Sequence, residues 1–137
     1  MGWKMLGAMV LAAGLAAGCS THEGGGEAAP QDGYSAFQGI EREIFVPHCV
    51  RVGCHGGETP AGGLNLSEGN AYRDLVGVKA SRRPESLRVD PGHPDASYLM
   101  NRLEAGGDSP RMPLMAKPLS EADFDRIRTW IQDGAKP

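Results

Sequence analysis

The chain is short of several things at once. Only 6% of its 137 residues are aromatic, and only three are cysteines. Positive charge is not in excess, since 14 Lys and Arg face 17 Asp and Glu for a formal net charge of −3. That balance offers no basic stripe to a phosphate backbone, which argues against nucleic acid as a partner. Beyond residue 18 no apolar run is long enough to span a bilayer as a helix. No internal repeat is present, and no segment alternates apolar and polar residues over strand length. With so few large apolar side chains, a domain this small has a marginal core unless a staple or a cofactor fills its centre.

What is present begins with a leader. Lys4 precedes an apolar stretch from Met5 to Ala17, too short to span a bilayer, and "LAAGCS" follows as a processing site. Residues 1–18 therefore read as a secretory signal peptide, and removing them takes away one lysine and no acid. The junction resembles the lipobox of bacterial lipoproteins, although Ala16 stands where that motif usually has Leu. The resemblance implies lipidation at Cys19 and a place in the bacterial cell envelope, lipid-anchored to a membrane and facing the periplasm or cell surface. Residues 19–34, with "STHEGGGEAAPQDG" after Cys19, are polar and Gly-rich, the composition of a flexible tether. A single domain is expected over residues 35–137.

Helical signals are strongest at the two ends of that domain. Ser35 with Gln38 three residues later is a capping-box pattern, and Phe37, Ile40, Ile44 and Phe45 then share one helical face. Pro47 biases Val46 away from helical geometry, which predicts an end just before the cysteines. Near the C-terminus, Ser120 with Asp123 repeats the capping pattern, with Leu119 and Phe124 as a hydrophobic staple. Phe124, Ile127, Trp130 and Ile131 form the apolar face, and Gly134 supplies the stop. Between them, "GGLNLS" reads as extended, Asn70 as the cap of one turn through Leu75, and Pro94 as the start of a helix carrying Tyr98, Leu99 and Leu103. The expected class is all-α.

The chemistry is concentrated in "FVPHCVRVGCHGG", Phe45 to Gly57. Cys49 and Cys54 form an isolated pair in an oxidising compartment, where a disulfide is one option. So small a loop adds little entropic stabilisation, and a disulfide does not explain why His55 follows Cys54 directly. Zinc needs about four N or S ligands, and a second cluster of recognisable spacing is missing. Copper held by Cys, His and Met is chemically reasonable but matches no defined spacing. Haem attachment accounts for both features: two thiols add to porphyrin vinyl groups, and the adjacent imidazole takes the iron. The four residues between the thiols must bulge for this to work, and Gly53 eases such a bulge.

The blocks "IFVPHCVRVGCHGG", "GGLNLS", "PGHPDASYL" and "RMPLMAKPLSEADFDRIRTWIQDGA" together resemble the small single-haem c-type cytochrome domains of bacterial envelope proteins. The resemblance runs from Ile40 to Ala135 and implies a small helical domain wrapped around one covalent haem c. It implies Cys49 and Cys54 as thioether sites, His55 as proximal ligand and Met112 as distal ligand, with Met115 as fallback. Arg82, Arg83, Arg88 and Arg111 are candidates for the haem propionates. With both axial positions filled, the expected function is single-electron transfer by Fe(III)/Fe(II) exchange with redox partner proteins, not enzymatic catalysis. The alternative is a haem-free, disulfide-stapled lipoprotein interaction module.

Overall fold

The computed structural model describes residues 1, 34–104 and 109–137. The expected signal peptide beyond Met1, Cys19 and the expected tether up to Gly33 lie outside the described residues, as do residues 105–108.

Ser35 caps the first helix as its sequence requires. Its hydroxyl accepts from the Gln38 N–H at 3.2 Å, and its own N–H donates to Gln38 Oε1 at 2.9 Å. Helix α1 (Ala36–Ile40) runs into a π-helical turn (Glu41–Phe45) and then α2 (Val46–Cys49). The chain thus stays helical past Pro47 instead of ending before it. Val46 keeps helical angles (φ −58°, ψ −52°), and its N–H donates to Glu41 O across the widened turn. Pro47 is the second residue of α2, which continues directly from the π turn. The π turn absorbs the register change that Pro47 would otherwise impose as a break.

At the other end, α5 (Glu121–Gln132) starts on Ser120, whose hydroxyl accepts from the Asp123 N–H at 3.1 Å. It closes with paired bonds, Gly134 N–H to Ile131 O at 3.0 Å and Ala135 N–H to Trp130 O at 2.9 Å. That pairing needs a left-handed residue, which Gly134 provides at φ +94°. Helices α1 and α5 pack together, with the Phe37 ring 5.0 Å from Trp130 and 5.2 Å from Tyr72. Ile44, Ile127 and Ile131 lie fully buried in the same core.

The middle of the chain departs from the all-α expectation. After a 3-10 turn (Ala61–Gly63) and α3 (Ala71–Leu75), strands β1 (Lys79–Ala80) and β2 (Arg83–Leu87) pair antiparallel, Lys79 with Leu87 and Ala80 with Arg83. The domain is therefore a mixed one, helices with a two-stranded antiparallel sheet, and this corrects the expected class. "RPESL" carries no β-branched or aromatic residue and includes Pro84, so its pattern is silent. Tertiary anchors make the strands: Ala80 is buried, and the Arg88 N–H donates to Val78 O at 2.7 Å. Val76 and Val89 form a further bridge beside it.

Pro94 opens a 3-10 turn (Pro94–Ala96), and α4 (Tyr98–Leu103) begins only after Ser97. The buried Ser97 hydroxyl accepts from the Asp90 N–H at 2.8 Å and donates to His93 O at 3.0 Å, which fixes that corner. No helix among the described residues is long and apolar enough to cross a membrane.

Candidate functional site

Helix α2 ends on Cys49 because Val50 turns extended (φ −90°, ψ 96°). The chain then loops out and returns. The Cys54 N–H donates to Arg51 O at 2.9 Å, and the His55 N–H closes back onto Cys49 O at 3.1 Å. Gly53 makes the corner at φ +81°, and Val52 at the tip is 98% exposed. Arg51, Val52 and Gly53 therefore bulge into solvent while Val50 stays packed against the core, and His55 comes to lie beside Cys49.

His55 is half-buried, with Nδ1 3.3 Å from Leu64 O. A carbonyl only accepts, so Nδ1 carries the proton and Nε2 keeps its lone pair for a ligand. Burial lowers the His55 pKa below its ordinary value, outweighing the upward pull of the Leu64 and Ala61 backbone, and favours the neutral ring. Burial likewise pushes the Cys49 thiol up to about 11, with Cys54 nearby adding to the effect. Both cysteines are free thiols, Cys49 half-buried and Cys54 exposed.

Cys49 and His55 meet at a cavity of about 290 Å³. Its walls are mainly apolar, from Phe45, Leu64, Leu66, Leu75, Leu99 and Leu103, and His55, Cys49 and Met112 line it with them. Among the described residues, the charged side chains on the lining are Arg82, Arg88 and Arg102, with no Asp or Glu. On a chain of net negative charge, that concentration of guanidinium against apolar walls suits a flat apolar ligand bearing carboxylates.

The methionine loop separates the two candidate sulfurs. Met112 is half-buried on the cavity wall, and its N–H donates to Arg102 O at 2.6 Å. Met115 is 99% exposed and away from the cavity. His48 and His93 are exposed and do not line the cavity either; His93 Nδ1 is 3.1 Å from Pro91 O. Cys54 is also absent from the lining, so the structure brings Cys49, His55 and Met112 together and leaves Cys54 outside. Trp130 belongs to the helical core and not to the cavity.

The arginines sort differently from the sequence reading. Arg82 is exposed on the lining. Arg88 spends its guanidinium on backbone carbonyls, Nη1 to Asp74 O at 2.7 Å and Nη2 to Gly62 O at 2.8 Å. Arg83 lies over the Tyr98 ring at 5.5 Å, and Arg111 lines a separate cleft with Leu119 and Phe124. Arg102 was not singled out by sequence. It sits on the cavity with Nη1 3.3 Å from the Tyr98 hydroxyl, and that hydrogen bond is the main cause of a lowered Tyr98 pKa. Its signal was the four-residue spacing from Tyr98 on one helix face.

Among the described residues no group of three or more His, Cys, Asp or Glu gathers around a metal position, so the ligand set zinc needs is not assembled there. The residues present do fit a haem, through imidazole nitrogen, thioether sulfur, a thiol, apolar walls and guanidiniums on the same lining. No family model, curated protein or solved structure matches this chain.

Proposed function

We propose that this protein is a lipid-anchored carrier of single electrons holding one covalent haem c. The observation that supports it is the convergence of Cys49, His55 and Met112 on one apolar cavity whose charged side chains, among the described residues, are all arginines. In this reading Cys49 and Cys54 would carry the thioether links, and His55 Nε2 and Met112 Sδ would hold the iron. The haem when bound supplies reversible Fe(III)/Fe(II) exchange.

The chain's own residues do the rest. The Leu64 carbonyl holds the His55 ring in one tautomer and one orientation. Leu66, Leu75 and Leu103 keep water from the cavity, and a dry pocket with His and Met ligation favours a higher potential than two histidines would. Arg82, exposed on the lining, is placed to meet a carboxylate of the bound group, and Arg88 and Arg102 add positive charge to the same wall. With His55 and Met112 both on the iron, no position there would be left to a substrate, so the proposal is a carrier and not an enzyme. Lipid at Cys19 and the tether would hold the domain at the envelope membrane, within reach of redox partner proteins.

One observation favours a second reading. Cys54 is exposed beside Cys49 and off the cavity lining, an arrangement open to a disulfide in a haem-free interaction module. One experiment separates the two. The mature protein, made in a host competent for cytochrome maturation, is run on a denaturing gel stained for haem peroxidase activity, with its intact mass measured alongside. Colour that survives boiling and is lost in the Cys49→Ser, Cys54→Ser double variant supports the carrier. Colourless protein whose mass shows an intact disulfide refutes it.

A further inference from the structure

Arg102 fastens the methionine loop to α4 at two points, and Ser109 adds a hydrogen bond to Tyr98 on the same helix. The Arg102 guanidinium donates from Nη2 to Pro110 O at 2.8 Å, and the Arg102 carbonyl accepts the Met112 N–H at 2.6 Å. Both bonds that fasten Pro110 and Met112 to the helix, among the described residues, therefore come from Arg102. Met115, three residues beyond Met112, is fully in solvent.

The guanidinium is itself held in place. Tyr98, one helical turn earlier, receives Nη1 at 3.3 Å on its hydroxyl, with the guanidinium carbon 5.8 Å from the ring centre. A planar fork can serve Tyr98 and Pro110 at once, and a lysine ammonium cannot reproduce that geometry. Arg102 Nε is buried with no acceptor, so the same guanidinium keeps a donor in reserve on a residue that lines the cavity.

We infer that Arg102 is the positioning residue for Met112, pinning the loop so that the thioether faces the iron of the bound haem. The inference rests on the haem reading above. Loosening the pin lets Met112 leave the iron more often, and an exogenous ligand then takes the vacated position.

The test uses the haem-loaded protein with Arg102→Lys and Arg102→Met, titrated with imidazole. Loss of the sulfur–iron absorption band reports displacement of Met112, and hydrogen exchange at the Met112 amide reports the loop directly. Both variants are expected to bind imidazole about tenfold more tightly than wild type, the factor corresponding to one lost charge-assisted hydrogen bond of roughly 1.4 kcal/mol. The Met112 amide should exchange faster in both, and Arg126→Met, which removes a surface guanidinium paired with Glu43, should match wild type in both assays. Wild-type imidazole affinity and exchange in both Arg102 variants, or full rescue by Lys, overturns the inference. A wild type carrying no haem overturns the parent reading and this inference together, and its lack of colour reveals that before any variant is titrated.

Discussion

Replacing Gly53 with Ala isolates the cost of the bulge that brings His55 back to Cys49. Gly53 has φ +81°, and a Cβ built there meets nothing within 4 Å, so the penalty is one of backbone conformation and not of contact. Placing a residue with a Cβ in the left-handed region costs about 1–2 kcal/mol. Restricting the unfolded chain returns roughly 0.4–1 kcal/mol of that. The net loss is about 1 kcal/mol, which for a domain near one hundred residues lowers the melting temperature by roughly 4–8 °C. Gly53→Asn, which tolerates the left-handed conformation, should recover most of the loss. Gly56→Ala tests a different cause, since its Cβ would stand 2.7 Å from Val50 Cγ1, and Asn there should rescue nothing. Thermal unfolding by circular dichroism reads all four variants, and the mass of the mature protein reads the fraction carrying haem. If Gly53→Ala melts with the wild type, or Gly53→Asn melts no higher than Gly53→Ala, the left-handed corner is not what holds this segment.

Met112→Ala should abolish the sulfur–iron absorption band and lower the reduction potential, whereas Met115→Ala, a change at an exposed side chain, should leave both unaltered; a band lost only with Met115 refutes the assignment. Acid should destabilise the fold through His55. Its folded pKa lies below the unfolded 6.5, so the stability it contributes is full above that pH and drains away as pH falls toward the folded value. In haem-free protein, denaturant midpoints at pH 7.5 and 5 should differ in the wild type and draw together in His55→Gln; an unchanged difference in the variant assigns the effect elsewhere. In reduced, haem-free protein at pH 8, iodoacetamide should modify Cys54 well before Cys49. A thiol raised to about 11 is thiolate only to roughly one part in a thousand at that pH, and Cys54 is the exposed one. Equal rates by mass spectrometry would contradict the burial of Cys49.

Local chemistry made the ends of the domain readable in advance. Ser35 with Gln38, and Ser120 with Asp123, satisfy orphan helix amides within four residues of chain, so their partners are adjacent in sequence. Gly134 stops α5 for the same reason, as the residue that reaches φ +94° without a Cβ clash. The turn that brings His55 back to Cys49 was also legible, because Gly53 marks a tight corner by residue type. Tertiary structure decided the rest. The strands Lys79–Ala80 and Arg83–Leu87 exist through contacts at Ala80 and Val78 that no strand propensity in "RPESL" foretells. The helix crosses Pro47 because a π turn upstream changes the register, a choice made by burying Ile44 and Phe45. Met112 and Met115 are chemically equivalent in the chain, and only the folded loop puts one against the cavity and the other in water. Arg102 likewise gains its place from partners across the fold at Pro110 and Met112, since hydrogen bonds over that distance are set by how elements pack and not by neighbours in sequence.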